Sequence, residues 1–272
     1  MTPTHVGELP VAAASGIAAW DGALAVVADD ELELVVCGLD GALRTRHVLV
    51  AGTLPDEHGA RKQAKPDLEA LTPLLGGLLA IGSCSTLGRR RACWLPAGPG
   101  GPVHAIELAP LAATLDRTIP ALNLEGAAVL GDALILFHRG GAAGPTVWIE
   151  LALADVARGL AARVLDVTPR RLVPLELGDI DGVPLAITDA CADGDALWAT
   201  ATAEDTPDPI ADGVITGSAL LRLDARGVAA RWPLALAAKP EGVTLLDDAL
   251  WLCVDADDRA RPSPLYRAPR PC

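Results

Sequence analysis

The chain has 272 residues, of which 51% are hydrophobic, and its mean hydropathy is +0.34. Such a chain can bury a full core, which excludes a disordered polypeptide. Its formal net charge of −13 argues against binding to nucleic-acid phosphates or to an anionic membrane surface, and leaves small molecules, cations and proteins as partners.

One short pattern recurs five times along the chain. It consists of a small or acidic residue, a brief apolar stretch, a turn and a longer apolar run. The residues that open the five copies are Ser15, Glu69, Glu125, Asp189 and Glu241. In four copies this residue precedes the first leucine of the run by nine positions, and in the Asp189 copy by eight. Spacing this regular indicates a repeat protein.

Each copy predicts a β-hairpin. The turns between its two strands are Asp21-Gly22, Gly76-Gly77, Gly131-Asp132, Gly194-Asp195 and Asp247-Asp248, residue types that accept positive φ. The apolar runs behind the turns have the length of strands: 23–28, 78–81, 133–137, 196–201 and 249–254. A second strand pair then follows, as at 32–37 and 43–50. Four strands per repeat is the size of a propeller blade.

We therefore predict an all-β fold, a five-bladed β-propeller that occupies residues 1–272 as one domain. The last repeat has one strand too few, and residues 5–10 are free to supply it, so that an N-terminal strand closes the last blade. Residues 155–165 have the composition of a helix that decorates blade 3. A β-sandwich with coincidental turns is the alternative.

The residue that opens each blade is expected to face the central channel, because the first strand of a blade starts near one mouth of that channel. Four carboxylates would then share a narrow space: Glu69, Glu125, Asp189 and Glu241, with Thr188 as a neighbouring alternative to Asp189. Two unit charges about 5 Å apart repel by roughly 3 kcal/mol at an effective dielectric of about 20. Either some of these groups are protonated or a cation lies among them.

Oxygen ligands alone, with no histidine or cysteine, favour Ca²⁺ over Mg²⁺ or Zn²⁺. The predicted metal ligands are Ser15, Glu69, Glu125, Asp189 and Glu241. In the alternative interpretation, these side chains form hydrogen bonds to backbone N–H groups of neighbouring blades and hold no ion.

The repeats resemble those of the calcium-activated nucleotidases, the apyrase family, which are five-bladed propellers whose channel Ca²⁺ is held by one Ser or Glu from each blade. Ser15, Glu69, Glu125 and Glu241 match that arrangement, and Asp189 departs from it. The Lys-Gly-x-Glu signature of that family is absent, since the corresponding segment is Lys65-Pro-Asp-Leu-Glu69. Segments 177–191, 203–213 and 254–267 are more similar to an uncharacterised bacterial family of phytase-like or esterase-like propellers.

Polar residues that end the long apolar strands are expected to surround a channel mouth. The candidate catalytic residues are Asp29, His138, Arg139 and Asp255. The candidate substrate-binding residues are Lys65, Arg89, Arg139, Glu204, Asp205 and Lys239. Cations set among carboxylates and a metal can bind phosphate or carboxylate groups. Alternatively, Arg89–Arg91 form a solvated loop, Lys65 and Lys239 only neutralise nearby Glu residues, and His138 is a loop histidine with its hydrogen bonds satisfied.

No GxSxG, Walker, GxGxxG, HExxH or EF-hand motif occurs. Two hypotheses follow. One is a Ca²⁺-dependent hydrolase of an anionic, phosphorylated small molecule; the other is a non-catalytic propeller that binds a ligand or protein and uses its channel only structurally. Because the first ten residues lack a signal-peptide pattern, we expect a cytoplasmic protein, monomeric and without nucleic-acid or membrane partners. A disulfide between Cys84 and Cys93 is left open.

Overall fold

The computed structural model describes residues 1–141, 144–206, 213–236, 238–256 and 258–271. Within them the strands are β1 (Thr4–Leu9), β2 (Ala14–Trp20), β3 (Ala23–Ala28), β4 (Glu33–Cys37), β5 (Leu43–Val48), β6 (Leu68–Leu74), β7 (Gly77–Gly82), β8 (Arg91–Leu95), β9 (His104–Glu107), β10 (Leu124–Leu130), β11 (Ala133–His138), β12 (Thr146–Ala152), β13 (Arg171–Leu175), β14 (Asp179–Ile180), β15 (Val183–Asp193), β16 (Ala196–Asp205), β17 (Val214–Asp224), β18 (Gly227–Leu234), β19 (Pro240–Leu246), β20 (Ala249–Val254) and β21 (Ser263–Pro269). The helices are α1 (His58–Ala64), α2 (Ala109–Leu115) and α3 (Leu153–Ala162).

The strands form five antiparallel sheets that are the blades of a β-propeller, as predicted. Blades 1, 2 and 3 are the meanders β2–β5, β6–β9 and β10–β13. Blade 4 consists of β14–β18 and so has five strands rather than four, because the two-residue strand β14 pairs with the start of β15. Blade 5 has the order β19-β20-β21-β1.

The N-terminal strand closes the ring, which confirms the prediction for residues 5–10. Strand β1 pairs with β21 from Thr4 opposite Arg267 to Leu9 opposite Ser263. Leu9 is fully buried in an apolar cluster shared by blades 5 and 1. Gly7 lies directly against blade 1, since a Cβ atom there would be 2.0 Å from the Asp40 carbonyl oxygen. The closing strand therefore contacts the first blade as well as the last.

The hairpin turns follow from the sequence in the predicted way. Asp21 and Gly22 have φ values of 48° and 66°, and Asp247 and Asp248 have 50° and 57°. Both pairs therefore lie in the left-handed region that tight two-residue hairpin turns require. The strands behind these turns, β3 and β20, are buried along their whole length, as are β7 and β11. The cores lie between adjacent blades, where apolar residues of neighbouring sheets meet.

A β-bulge in the innermost strand of each blade positions the candidate site. The residue skipped by the pairing register sits at the equivalent place in every blade: Ser15, Glu69, Glu125, Thr188 and Glu241. In blades 1, 3 and 5 a glycine follows it. A Cβ atom on Gly126 would lie 3.1 Å from the Ala190 nitrogen, so backbones of adjacent blades touch near the axis. These bulges place one side chain per blade at an equivalent position.

Features outside the ring are simpler. Helix α3 decorates blade 3, close to the predicted segment 155–165. Cys84 and Cys93 are both free thiols and form no disulfide with each other. No helix within the described residues is both long and apolar enough to cross a membrane.

Candidate functional site

A cavity of about 510 Å³ is lined by four of the five bulge residues, Ser15, Glu69, Glu125 and Glu241. Its size is in the range of small-molecule sites. Blades 1, 2, 3 and 5 and helix α1 line it, and Lys239, between blades 4 and 5, completes the wall. The acidic residues of the lining are Asp29, Asp30, Asp67, Glu69, Glu125, Glu241, Asp255 and Asp258. The lysines and arginines are Arg61, Lys62, Lys65, Arg89, Arg139, Lys239 and Arg259.

Two of the five bulge residues carry hydroxyl groups, and both connect neighbouring blades. Ser15 Oγ donates a hydrogen bond to the Leu68 carbonyl at 2.5 Å, and Thr188 Oγ1 donates to the Pro240 carbonyl at 2.6 Å. Leu68 and Pro240 each precede the bulge of the next blade in sequence. These hydroxyl groups therefore stabilise the ring through hydrogen bonds to backbone carbonyl groups, close to the alternative that the sequence analysis left open.

Asp189 does not occupy the ring position that the sequence analysis gave it. Thr188 takes the bulge, so Asp189 is turned away from the cavity and fully buried. Its Oδ2 accepts a hydrogen bond from the Val243 N–H at 2.9 Å, while its Oδ1 has no partner among the described residues. Burial raises the pKa of this carboxyl well above its ordinary value. Its hydrogen bond to Val243 links blade 4 to blade 5, outside the lining of the cavity.

One acidic group of the cavity lies around Glu69. Among the described residues, one set of three potential metal ligands is mutually close: Asp29, Asp67 and Glu69, whose ligand atoms lie within 4.8 Å of one another. Lys65 Nζ contacts Asp29 Oδ2 and lies 2.9 Å from Asp67 Oδ1. Neither a hydrogen bond nor an ion pair joins Glu69 to another described residue. The other members of the predicted ring are not in this group.

Asp67 is the site residue that the sequence analysis missed. It lies between Lys65 and Glu69, and its φ of 56° places it in the left-handed region that a side-chain-bearing residue rarely adopts. Its Oδ2 accepts a hydrogen bond from Ser83 Oγ at 2.5 Å and forms an ion pair with Arg89 Nη1 at 2.9 Å. The unusual backbone is held by these contacts, and it brings the carboxylate beside Glu69.

The remaining two glutamates of the ring belong to an ion-pair chain. Arg139 Nη1 lies 3.4 Å from Glu125 Oε1, and Arg139 Nη2 lies 2.5 Å from Glu204 Oε2. Lys239 Nζ lies 2.6 Å from Glu241 Oε1 and 3.9 Å from the same Glu204 oxygen. Glu204 does not line the cavity, but it contacts both Arg139 and Lys239 and so links the two cations. Glu125 and Glu241 thus already have counter-charges within the protein.

Some of the other site residues predicted from the sequence line the cavity and others do not. His138 is buried outside the cavity with Nδ1 at 3.1 Å from the backbone of Asn123, and burial lowers its pKa, so the structure does not place it as a catalytic acid or base. Asp205 is exposed at the end of β16 and does not line the cavity. Asp29, Asp255, Lys65, Arg89, Arg139 and Lys239 do line it. Arg89 and Arg90 form ion pairs with Asp67 and Asp116 rather than a solvated loop.

Burial and mutual repulsion raise the pKa values of three carboxyl groups in the cavity, those of Asp29, Glu69 and Glu125. Burial raises the pKa of Asp29 to about 6 and of Glu125 to about 7, although Lys65 and Arg139 respectively oppose the shift. Burial, with Asp67 and Glu125 nearby, raises the pKa of Glu69 well above its ordinary value. Carboxyl groups shifted this far inside a cavity are typical of functional sites.

These shifts predict an unusual pH dependence of stability. Between about pH 4.5 and 7 the folded protein keeps protons on Glu125 and Asp29 that the unfolded chain has released, so its free energy of unfolding should fall as pH rises. One pKa unit corresponds to about 1.4 kcal/mol, which gives Glu125 alone an effect on the order of 3 kcal/mol. Denaturant unfolding at pH 5 and pH 8, in chelator, measures this. Glu125→Gln should flatten the profile, and a wild-type free energy that rises over this range would contradict the assignment.

The fold is shared with several solved enzymes. Glutaminyl cyclase from Myxococcus xanthus aligns with a TM-score of 0.57 at 10% identity, over 98% of this chain and 96% of that chain. A glycoside hydrolase, described as putative, from Parabacteroides distasonis aligns with a TM-score of 0.56 at 10% identity, over 96% and 87%. The PQQ-bound aldose sugar dehydrogenase from Streptomyces coelicolor gives 0.50 at 13% identity, over 97% and 96%. At these identities the likeness concerns the fold alone.

Sequence comparison gives a family and no activity. No curated protein sequence matches the chain. Neither the nucleotidase family nor a phytase or esterase family is identified, so the predicted resemblances extend to the propeller architecture only. The profile of a family of unknown function (DUF6929) matches residues 10–269, which is nearly the whole propeller, and the chain therefore belongs to that family.

Proposed function

We propose that the channel-mouth cavity binds Ca²⁺ through Asp29, Asp67 and Glu69, and that it is then the active site of a hydrolase for a small anionic molecule. The observation that carries the proposal is Glu69, a carboxyl group inside the cavity without a partner among the described residues, with two further carboxylates within 4.8 Å. Of the five ligands predicted from sequence, this proposal keeps only Glu69.

The electrostatics of the cluster favour a divalent cation. Two unit charges 4.8 Å apart repel by about 3 kcal/mol at an effective dielectric of about 20. With all three carboxyl groups ionised, Lys65 and Arg89 compensate two of the three charges, so a proton or a cation must neutralise the third. The ligands are all oxygen atoms on separate loops and strands, a set that suits the flexible coordination of Ca²⁺.

Lys65 has to move for an ion to bind, because its ammonium group contacts both Asp29 and Asp67. A lysine carries its charge on a flexible four-carbon chain, so it can withdraw and leave the carboxylates in place. The displaced ammonium then becomes available to an anionic substrate. Ion binding and substrate binding are coupled in this arrangement.

When bound, Ca²⁺ supplies Lewis-acid polarisation of a substrate oxygen. The chain's own residues supply charge and proton transfer. Arg139 and Lys239 lie on the cavity wall, where ion pairs with Glu204 hold both side chains in place. Their positive charges can orient an anionic group of the substrate. Glu125, with a pKa of about 7, can accept or release a proton near neutral pH.

The direct test is a thermal melt in chelator, followed by addition of Ca²⁺ or Mg²⁺. A hundredfold excess of Ca²⁺ over Kd should stabilise the folded protein by about 2.7 kcal/mol, and Mg²⁺ should stabilise it less. Glu69→Gln should abolish the Ca²⁺ effect, whereas Glu176→Gln, which removes an exposed carboxylate outside the cavity, should leave it intact. If neither Ca²⁺ nor Mg²⁺ raises the melting temperature of wild-type protein shown to be metal-free, the proposal of a calcium site is wrong.

The second candidate is a non-catalytic propeller in which the charged network only holds the blades together. It is favoured by the ion pairs that already satisfy Glu125 and Glu241. Under this hypothesis Glu69→Gln raises the stability at pH 8 because it removes an unpaired carboxyl, and Ca²⁺ changes nothing. A screen of phosphate esters and other anionic esters would then show no turnover by the wild-type protein.

A further inference from the structure

The basic residues of the cavity differ in whether they are already paired. All three lysines of the chain line it: Lys62, Lys65 and Lys239. Lys65 and Lys239 contact carboxylates, as do Arg89 and Arg139. The Lys62 ammonium has no ion pair or hydrogen bond with another described residue. A cation on a cavity wall without a counter-charge can receive an anionic group of a ligand.

Helix α1 presents Lys62 together with a histidine. His58 and Lys62 are four positions apart, so their side chains leave the same face of the helix, and both line the cavity. Like Lys62, the His58 ring has no hydrogen-bond partner among the described residues. Two donors therefore lie side by side at the rim.

The rim is held firmly by contacts to Asp30. Arg61, also on α1 and in the cavity lining, donates from Nη2 to the Asp30 carbonyl at 2.6 Å and places Nε 3.3 Å from its Oδ2. Arg259 places its own Nε 3.3 Å from the same oxygen and donates from Nη1 to the carbonyl of Asp56, two residues before the helix. Arg259 also lines the cavity, so a third basic group lies at this rim, and its Nη2 has no hydrogen bond or ion pair with another described residue.

We propose that His58, Lys62 and Arg259 form an anion subsite at the cavity rim, and that it receives the phosphate group of a small, non-aromatic phosphate ester such as a sugar phosphate. The inference rests on the proposed function for the reaction in the cavity, and it adds a binding subsite and a substrate class. None of these three residues belongs to the binding set predicted from sequence.

The non-aromatic character follows from the lining. Among the described lining residues none is Phe, Tyr or Trp, and the apolar ones include Ala12, Ala13 and Ala14. Proteins that hold nucleobases commonly stack them on aromatic rings, at about 1–3 kcal/mol per base. Here charged and amide groups dominate the wall, which suits hydroxyl groups and phosphate. The base of a nucleotide therefore has no aromatic ring to stack on in the described lining and adds little to the affinity.

The subsite is tested first with inorganic phosphate in chelator at constant ionic strength, with binding measured by calorimetry. We expect wild-type protein to bind phosphate and Lys62→Gln to bind it about tenfold more weakly. Lys62 is exposed on α1 and glutamine has a similar helix propensity, so the variant should fold. Arg44→Gln removes an exposed positive charge on β5 and should bind like wild type. Equal affinities of Lys62→Gln and wild type, or equal losses in both variants, would overturn the subsite.

The substrate class is tested with ribose 5-phosphate and adenosine 5′-monophosphate, which differ by the base. We expect dissociation constants within threefold of each other, and an adenosine monophosphate that binds tenfold more tightly would refute the non-aromatic class. Both binding measurements are made in chelator, so a negative result counts against the anion subsite at the rim and not against the calcium site. The calcium melt tests the ion independently.

Discussion

Replacing Arg139 with methionine is expected to lower the free energy of unfolding by about 3–5 kcal/mol at pH 8, the loss typical of removing one partner of a buried ion pair. The Arg139 side chain is 14% exposed and lies between Glu125 and Glu204. Methionine keeps much of the volume and removes the charge. Among the described residues, Glu125 then retains the hydrogen bond from the Asn123 amide at 2.6 Å, and Glu204 retains Lys239 at 3.9 Å and the Gly213 N–H.

The pH dependence separates lost charge from lost packing. At pH 5 Glu125 is largely protonated in the folded protein, because its pKa is about 7, so the loss in Arg139→Met should be clearly smaller there. Arg170→Met is the control: Arg170 pairs with Asp132 on the surface, where an ion pair contributes less than about 1 kcal/mol. A variant within 1 kcal/mol of wild type at pH 8 would show that the network does not depend on Arg139.

Removal of residues 1–9 is expected to destabilise the propeller by at least about 5 kcal/mol. A buried leucine such as Leu9 alone contributes about 2–5 kcal/mol, and the ladder between β1 and β21 is lost with it. For a protein of this size the melting temperature should fall by about 10–20 °C. Calorimetry of the shortened chain measures the shift.

Specificity of this effect is tested by adding the missing strand as a separate peptide. A peptide with the sequence of residues 1–9 should restore part of the melting temperature, because it can pair with β21 and contact the Asp40 turn. Val48→Ala, on the exposed strand β5, should change stability by less than about 0.5 kcal/mol. An unchanged melting temperature of the shortened chain would mean that the ring does not need its closing strand.

Much of the fold could be predicted because each blade repeats the same turn chemistry and the same buried second strand. The number of blades and the N-terminal closure followed from spacing alone. The fifth strand of blade 4 could not be predicted, since β14 is two residues long and has no apolar pattern of its own.

The candidate site was predicted less completely. Ser15, Glu69, Glu125 and Glu241 were predicted to open their blades and prove to be the bulge residues, although the bulges themselves were not predicted. The nine-residue spacing to Leu197 identifies Thr188 rather than Asp189 as the fifth. Here the acidic character of Asp189 was given more weight than the spacing. Asp67, His58 and Lys62 were missed because they lie in the connection between blades 1 and 2. No periodic pattern of residues in this connection indicates on which side each side chain lies. Which side chains of such a connection meet the cavity depends on tertiary contacts.

The mixed composition of the bulge positions bears on stereochemistry. Blades 1 and 4 contribute hydroxyl groups that are tied to the backbone of the next blade, whereas blades 2, 3 and 5 contribute carboxyl groups. The near-fivefold symmetry of the backbone is therefore absent from the chemistry of the channel. If the proposed ligand binds between the rim cations and Glu69, it meets a different wall on each side, and we expect the cavity to distinguish its mirror-image forms.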